Sequence, residues 1–567
     1  MGRLAVPDSP DLARVFSLPS RVLDIRDAEA WAEVFTQRLR LPRGDMTLDP
    51  WQGQALAEVK AMGGGVLGMP VGIGKTLIAF LLATIFDFRS MLFIAPKALE
   101  DQWHSMAYKY SRHWQSPKVG YEFLSRSALS CEGYKHYLHR MKPRLIVADE
   151  CHDLSNFEKG AANRLWRYRW SPEGRDCVMV FMSGTPIRKS LMNVWHLMLM
   201  ALGENAPVPL RRGEAQLWAK VIDYKPREVL NGILPGPLGS TKTDARAKVA
   251  KRFRTTRGLL LIDGDTCDQP LTIRVRYARE DTELDGHFKR LGRKEQNPAG
   301  IPVTDPLQRW RLDALLGCGL YEQWDPEPPE AWREAFRGIA RFSLAMIRRS
   351  RRRAGEEPLD TMAEVIRRYR HEEVVQNWLQ IKPTFKGKTK PIWVSASTVA
   401  SVLDWLRETD EPSLVWCGSI EFGRVLAKTA GLVWYGSGGL CEHGTSLLSA
   451  PPGRSLVVSW NSAKQGFNLQ AWRRHLVVFP PQSARYLEQL LGRGHRKNQT
   501  RPVEYTLLAT SGGSIDMLAA AGEESDWGES LIGMTQKLRR AKVVYAKEPR
   551  ATRTNGYRWG SRKDRDD

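Results

Sequence analysis

The amino-acid sequence predicts an α/β fold with two parallel-sheet lobes separated by a mostly helical segment. Short apolar runs closed by turns occur in two groups along the 567 residues, and stretches with helical periodicity separate them. The runs are continuously apolar rather than alternating, which is typical of strands buried on both faces of a parallel sheet. Strands that alternate with helices favour parallel sheets joined by right-handed crossovers.

The two groups of apolar runs define the two predicted lobes. The first lobe is expected over residues 47–205, with strands at 65–68, 90–95, 144–148 and 177–182. The second lobe is expected over residues 386–512, with strands at 413–417, 431–435, 455–459, 475–479 and 503–508. Each group supplies enough strands for one sheet of ordinary size.

Three further segments lie outside the predicted lobes. Residues 1–46 are expected to form an N-terminal extension, and residues 206–385 a mostly helical insertion. Helical periodicity in the insertion is clear at 330–342. Residues 513–567 are expected to form a C-terminal helix and a mobile basic tail, because the stretch 537–567 holds eleven Lys and Arg residues against four Asp and Glu residues.

Composition narrows the function classes. The chain has 85 Lys and Arg residues against 63 Asp and Glu residues, a net charge of +22, which favours a polyanionic partner such as nucleic acid. A basic proteome or a solvated surface is the alternative explanation. The apolar run at 76–86 is too short to span a bilayer, and the first residues lack a signal-peptide pattern. Seven cysteines without a Cys-x-x-Cys pair exclude an obvious zinc ribbon, so we expect a soluble protein of a reducing compartment.

The first chemical motif is Gly68-Met-Pro-Val-Gly-Ile-Gly-Lys-Thr76, which follows an apolar run and precedes a helical pattern. Its glycines allow backbone N–H groups to surround a phosphate, and a helix N-terminus adds a favourable dipole. Lys75 is expected to reach the β- and γ-phosphates of a nucleotide, and Thr76 to bind Mg²⁺. The motif departs from the general pattern at Met69, where a glycine is usual, and a simple Gly-rich turn is the alternative.

The second chemical motif is a pair of carboxylates, Asp149 and Glu150, directly after the apolar run 144–148. A carboxylate at the carboxyl end of a strand can hold Mg²⁺, and a second one can orient and deprotonate an attacking water. An acidic helix cap is the alternative for an isolated pair. The position downstream of the phosphate motif favours the catalytic interpretation.

The order of these motifs resembles that of superfamily 2 helicases and translocases, with Asp149-Glu-Cys-His152 as a DExH-type box. Other segments are similar to further motifs of that family and occur in the family's order. They are Leu48-Asp-Pro-Trp-Gln52, Ile94-Ala-Pro-Lys-Ala-Leu-Glu-Asp-Gln-Trp103, Tyr121-Glu-Phe-Leu-Ser125, Ser183-Gly-Thr-Pro186, Pro412-Ser-Leu-Val-Trp-Cys417, Ser462-Ala-Lys-Gln-Gly-Phe-Asn-Leu469 and Gln489-Leu-Leu-Gly-Arg-Gly-His-Arg-Lys-Asn-Gln499.

Several details are similar to the Swi/Snf-like branch of that superfamily rather than to DEAD-box RNA helicases. They include Gln102-Trp103, Gly466-Phe-Asn-Leu469 and His495-Arg-Lys-Asn-Gln499. Two positions depart from the branch, since Cys151 stands where Ala or Lys is usual and Asn498 where Gly is usual. The compact insertion and the lack of a recognisable chromatin-binding module favour a small bacterial or phage enzyme over a eukaryotic remodeller.

The resemblance implies two RecA-like lobes that use ATP and Mg²⁺, and it assigns roles to individual residues. Glu150 would be the general base, and Lys75, Arg493 and Arg496 would also be catalytic. Mg²⁺ would be held by Thr76 and Asp149. The nucleotide would be held by Gln52, Gly72, Ile73, Gly74, Lys75, Thr76 and Gly466.

Two further groups of residues receive roles from the resemblance. The residues that would couple nucleotide state to movement are His152, Ser183, Thr185, Asn468 and Gln489. The residues that would contact nucleic acid are Lys97, Gln102, Trp103 and Lys464. The basic clusters at 248–254 and 348–353 are additional candidates for phosphate contacts.

The resulting expectation is an ATP-dependent DNA helicase or a translocase on duplex DNA. An ATP-gated nucleic-acid clamp or recruitment protein without unwinding is the first alternative, and an RNA helicase is the second. The expected partner is duplex or single-stranded DNA, with RNA disfavoured, no membrane, and replication, recombination or repair proteins as candidates. The expected location is the cytoplasm of a bacterial cell, including the case of a phage-encoded protein.

Overall fold

A computed structural model of the chain describes residues 5–70, 72–88, 91–116, 121–157, 160–187, 189–224, 235–264, 267–304, 306–352, 359, 361–436, 438–465, 467–481 and 483–546. These residues form an α/β protein that divides into two compact units, each with its own parallel sheet. Unit 1 takes the described residues of 1–269, 491–500 and 521–540. Unit 2 takes those of 270–490, 501–520 and 541–567.

The part of unit 1 within residues 1–269 contains eleven α-helices and six strands among its described residues. The helices are α1 (Pro10–Ser17), α2 (Ile25–Leu39), α3 (Pro50–Met62), α4 (Lys75–Phe86), α5 (Glu100–Tyr110), α6 (Arg126–Ser130), α7 (Tyr137–Met141), α8 (Gly160–Arg169), α9 (Trp195–Leu202), α10 (Arg212–Ile222) and α11 (Lys242–Thr255). The strands are β1 (Gly64–Gly68), β2 (Met91–Ala95), β3 (Tyr121–Ser125), β4 (Leu145–Ala148), β5 (Val178–Ser183) and β6 (Leu259–Leu261).

The sheet of unit 1 has the strand order β3-β2-β4-β5-β1-β6, and neighbouring strands pair in parallel. Successive side chains of a strand point to opposite faces, and both faces are covered here. Val66 and Ile146 pack into the core on one face, whereas Leu67 and Val147 pack into the core on the other. This arrangement explains why the strands are continuously apolar.

Unit 2 contains the helices α12 (Thr282–Lys294), α13 (Pro306–Gly317), α14 (Glu330–Arg352), α15 (Met362–Arg368), α16 (Glu373–Ile381), α17 (Ser397–Arg407), α18 (Ile420–Ala430) and most of α19 (Ala484–Gly494). Its strands are β7 (Leu271–Tyr277), β8 (Leu320–Asp325), β9 (Lys388–Trp393), β10 (Ser413–Cys417), β11 (Val433–Tyr435), β12 (Leu456–Ser459), β13 (Arg474–Val478), β14 (Val503–Ala509) and β15 (Lys542–Tyr545).

Seven of these strands form the sheet of unit 2, in the order β11-β12-β10-β13-β14-β7-β15, and the pairings are parallel. Strands β8 and β9 form a separate antiparallel pair. Two C-terminal helices remain. Helix α20 (Gly512–Ile532) begins in unit 2 and ends in unit 1, and α21 (Lys537–Arg540) belongs to unit 1.

The predicted fold class is confirmed, and each predicted strand occurs within one or two residues of its expected position. The expected insertion at 206–385 is mostly helical, but the division between the units falls inside it, at Gln269. Strand β6 of this segment belongs to the sheet of unit 1, and β7 belongs to the sheet of unit 2. The segment therefore contributes to both units.

The expected mobile tail needs a correction at its start. Residues 537–545 are folded as α21 and β15. Both Lys537 and Leu538 are buried, because their side chains pack within unit 1. Residues 547–567 of the expected tail lie outside the described part of the chain.

Among the helices of the described ranges, none combines the length and the apolar character that crossing a membrane would require.

Candidate functional site

The expected phosphate loop connects β1 to α4 in unit 1. Strand β1 ends at Gly68, and α4 begins at Lys75, so the N-terminus of a buried helix faces the loop. Gly72 and Gly74 have φ values of 97° and 84°, which favour glycine because a Cβ is strained in this region. A Cβ on Gly74 would also lie 2.4 Å from Nε2 of Gln52. The loop therefore requires a glycine at position 74 on two grounds.

Lys75 lies over this loop rather than in solvent. Its Nζ donates hydrogen bonds to the carbonyl oxygens of Met69, at 3.1 Å, and of Pro70, at 3.2 Å. Thr76 is half-buried in the first turn of α4. A lysine ammonium, a hydroxyl and the N–H groups of a helix N-terminus together form an arrangement that can bind phosphate.

The carboxylate pair follows β4, which is separated from β1 by β5 alone. The N–H of Asp149 donates to the carbonyl of Ile94 at 2.9 Å, and the N–H of Glu150 donates to Oδ1 of Asp149 at 2.9 Å. These bonds fix Asp149 at the carboxyl end of the sheet. Glu150 has a φ of 49°, an uncommon value for a residue with a side chain, so the backbone turns sharply between the two carboxylates.

The electrostatics link the carboxylates to the phosphate loop. Burial raises the pKa of Asp149 above its usual range, and the nearby Glu150 carboxylate raises it further. The positive charges of Lys75 and Arg493 act in the opposite direction and lower that pKa. A buried carboxylate whose negative charge is disfavoured by burial and by a second carboxylate is a group that a divalent cation would stabilise.

His152 connects the second carboxylate to the end of β5. Its Nδ1 lies 2.8 Å from Oγ of Ser183 and 3.2 Å from Oε2 of Glu150. The N–H of Thr185 donates to the same Ser183 oxygen at 3.0 Å. Ser183 pairs in register with Gly68, the residue from which the phosphate loop starts. The predicted coupling residues of unit 1 therefore form one buried network between the carboxylates and the loop.

Gln52, which the resemblance places among the nucleotide-holding residues, forms hydrogen bonds within the protein. Its Oε1 accepts a hydrogen bond from the N–H of Asp49 at 3.0 Å, and its Nε2 donates to the carbonyl of Ile73 at 2.8 Å. Lys497 donates to both carboxylate oxygens of Asp49, at 2.8 and 3.0 Å. Gln52 thus supports the phosphate loop by a hydrogen bond and lies near the segment that carries Arg493 and Arg496, the arginines predicted to be catalytic.

That segment, residues 491–500, belongs to unit 1. Arg493 is 2% exposed, and its charge lowers the pKa of Asp149, so it lies within electrostatic reach of the carboxylate pair. Arg496 is half-buried, and burial lowers the pKa of its guanidinium. The structure therefore brings both of these arginines, which the resemblance predicts to be catalytic, into the same unit as the phosphate loop.

The predicted nucleic-acid contacts of unit 1 differ in exposure. Lys97 is exposed in the turn that precedes α5, and Gln102 is exposed in the first turn of α5. Trp103 is 1% exposed, and its ring stacks on Phe93 with centroids 3.8 Å apart. The structure therefore places Trp103 in the core, where it cannot stack on a base. At helical spacing its side chain points inward while Gln102 points outward.

The predicted residues of unit 2 are described only in part. Gly466 lies outside the described residues, and the side chain of Lys464 is not among those described. Asn468 is exposed, and its Oδ1 accepts from the N–H of Gln470 at 3.4 Å. Gln489 is buried in α19.

Sequence reasoning missed the contribution of the C-terminal segment to unit 1. Lys189, which follows Ser183 and Thr185 in the chain, forms an ion pair of 3.2 Å with the buried Glu524. A Cβ on Gly68 would lie 2.9 Å from Sδ of Met534, so this methionine packs against the start of the phosphate loop. No local motif marks these residues, because their positions depend on the return of α20 to unit 1.

The fold and the site thus define an α/β protein with a Gly-rich loop at a helix N-terminus, in the same unit as paired carboxylates. No protein-family model and no curated protein matches this chain.

Proposed function

We propose that the protein is a DNA-dependent ATPase of the superfamily 2 type, acting as a helicase or as a translocase on duplex DNA. The order of motifs supports the proposal. The observation that carries it is the presence, in one compact unit, of Lys75, Glu150 and Arg493 around the buried Asp149, each close enough to shift its pKa. These are the groups that phosphoryl transfer from a nucleotide requires.

In this proposal the residues of the phosphate loop bind the nucleotide. The N–H groups around Gly72 and Gly74 and the Nζ of Lys75 would hold the phosphates, once Lys75 exchanges its bonds to the loop carbonyls for bonds to phosphate oxygens. Thr76 and Asp149 would hold Mg²⁺, which neutralises phosphate charge when bound. The donor set of hydroxyl and carboxylate oxygens fits this cation.

Glu150 would orient and deprotonate the attacking water. His152 lies 3.2 Å from its carboxylate and would hold it in place. Arg493 and Arg496 would stabilise the charge that develops on the transferred phosphoryl group, an effect worth about 10³–10⁵-fold in other enzymes of phosphoryl transfer. The contact between His152 and Ser183 would transmit the state of the nucleotide to the loop that follows β5.

The net charge of +22 and the exposed Lys97 and Gln102 support nucleic acid as the partner. A cycle of ATP binding and hydrolysis that changes the affinity of each unit for the strand would move the protein along it. The similarity of several motifs to the Swi/Snf-like branch favours DNA over RNA.

The test is a comparison of ATP hydrolysis with no nucleic acid, single-stranded DNA, duplex DNA and RNA. We expect stimulation by DNA in the wild type, and a loss of about 10²–10⁴-fold in turnover for Glu150→Gln. The matched control is Glu132→Gln, whose carboxylate is exposed in the same unit and which should hydrolyse ATP like the wild type. Wild-type turnover that does not rise with DNA, with no loss in Glu150→Gln, would reject the motor.

Each alternative has its own signature in the same experiment. An ATP-gated clamp would bind DNA more tightly with ATP, without turnover that rises with DNA. An RNA helicase would be stimulated by RNA more than by either form of DNA.

A further inference from the structure

We infer that Lys537 and His495 are positioning residues that hold the arginine segment, residues 491–500, beside the carboxylate pair. This inference rests on the proposed function only for its consequence in catalysis. The contact itself is a property of unit 1.

The two side chains form a buried relay. Lys537 is 3% exposed and His495 is 2% exposed. Nζ of Lys537 lies 3.1 Å from Nδ1 of His495, and Nε2 of His495 lies 2.6 Å from the carbonyl oxygen of Gln269. A lysine ammonium can only donate, so Nδ1 must be the acceptor and Nε2 must carry the proton. The relay therefore runs from Lys537 through a neutral imidazole to a backbone carbonyl.

The position of His495 in the sequence gives the relay its importance. It is two residues after Arg493 and directly before Arg496, so fixing its ring fixes the backbone between the two arginines. Another contact of this segment is the ion pair between Lys497 and Asp49, whose side chains are 49% and 39% exposed. An ion pair that is open to water contributes little to holding a geometry. The buried relay is therefore the stronger of these two constraints.

The helix that carries the donor of the relay, α21, contacts the residue that follows β6 in the sheet of the phosphate loop. Arg540, in the same short helix α21, forms a 2.5 Å ion pair with Asp263, and the N–H of Thr535 donates to the same carboxylate at 2.8 Å. Asp263 follows β6, which pairs with β1. The relay thus connects the arginine segment to the sheet from which the phosphate loop starts.

The test in catalysis is the variant Lys537→Met, which removes the donor and keeps an unbranched apolar side chain. We expect kcat to fall by roughly 10²-fold, as for small misplacements of catalytic groups, with little change in KM for ATP. Lys537→Arg keeps a donor and should recover part of the loss. The matched control is Arg539→Met, in the same helix, whose guanidinium pairs with Asp526 at the surface and which should leave kcat unchanged.

A combined variant tests whether Lys537 acts through the arginines. If it does, adding Lys537→Met to the variant that carries both Arg493→Ala and Arg496→Ala should cause no further loss of activity. A further loss of the same factor as in Lys537→Met alone would reject the positioning role.

A measurement that needs no ATP hydrolysis separates this inference from the proposed function. Hydrogen–deuterium exchange of the full chain should become faster in peptides covering 491–500 in Lys537→Met, at least about tenfold, and stay unchanged in peptides covering α4. Unchanged exchange in 491–500 would overturn the relay, whatever the ATPase result. A wild type without ATPase activity but with this local effect would reject the proposed function and retain the relay.

Discussion

A buried histidine in the sheet of unit 2 leads to a prediction that can be worked out in magnitude. His475 lies in β13, between β10 and β14, and is fully buried. Its Nδ1 accepts from Nε1 of Trp416 at 3.2 Å, and its Nε2 lies 3.1 Å from the carbonyl oxygen of Trp472. Its ring stacks on Tyr505, with centroids 4.2 Å apart and planes 5° from parallel. These partners fit a neutral imidazole that is protonated on Nε2 alone.

Burial lowers the pKa of His475 to about 3, and the bond to the Trp472 carbonyl offsets only part of this effect. In the unfolded chain the pKa of a histidine is about 6.5. Below that value the unfolded state binds a proton that the folded state refuses, so stability is present above pH 6.5 and is lost as the pH falls. At pH 5.0, about 1.5 pH units below the unfolded pKa, the loss is about 2 kcal/mol at about 1.36 kcal/mol per unit.

The assay is urea unfolding followed by tryptophan fluorescence at pH 7.5 and pH 5.0, for the wild type and for His475→Gln. The glutamine loses the ring stacking at both pH values but does not titrate. The stability advantage of the wild type should therefore shrink by about 2 kcal/mol between the two pH values. Comparison within a pair of proteins is needed because burial raises the pKa of Asp313 to about 7, which makes the wild type gain stability on acidification through that group.

The control is His443→Gln, which replaces an exposed histidine of the same unit and should show no change in its difference from the wild type. The free energy of unfolding of the wild type and of His475→Gln could instead differ by the same amount at both pH values. That result would refute the claim that His475 is a buried neutral imidazole that loses stability on acidification.

Two other substitutions and one deletion have expected outcomes. Gln52→Ala should raise KM for ATP and for GTP alike, by about tenfold, because it removes a hydrogen bond that supports the phosphate loop; a loss of ATP preference instead would show that Gln52 reads adenine. Trp103→Ala should lower the free energy of unfolding by about 3–5 kcal/mol in urea titrations, and a normal stability with weakened DNA binding would contradict its place in the core. Deleting residues 547–567, which hold seven Lys and Arg residues, should reduce the salt dependence of DNA binding in fluorescence titrations, while basal ATPase stays unchanged.

The strands that could be predicted from the sequence are those buried on both faces. Strand β7 escaped prediction because its burial alternates: Leu271, Ile273 and Val275 are buried, whereas Arg274 is exposed and pairs with Glu504. Such alternation within a basic, Pro-rich stretch resembles a surface segment. Strand β15 escaped because the stretch Lys542–Tyr545 sits in a run of basic residues and forms a strand only by pairing with β7.

In the candidate site, too, the features that could be predicted are those that a short stretch of sequence determines. The phosphate loop and the carboxylates could be predicted because each is a short motif at the end of a strand, and the sheet brings such ends together. The contacts of Lys497 with Asp49 and of Lys537 with His495 could not be predicted, because they join residues far apart in the chain. Lysines, histidines and aspartates occur throughout the sequence, and only the fold determines which of them come into contact.

The structure also changes how the net charge of +22 bears on nucleic-acid binding. Several basic side chains are used inside the protein and cannot meet a phosphate strand. Arg252, in one of the basic clusters, donates from its guanidinium to the carbonyls of Leu18 at 2.7 Å and Pro19 at 3.1 Å. Arg474 is buried over the ring of Trp405, 3.5 Å from its centroid. The number of phosphates neutralised on binding, read from the salt dependence of affinity, should therefore be set by exposed lysines and arginines rather than by total charge.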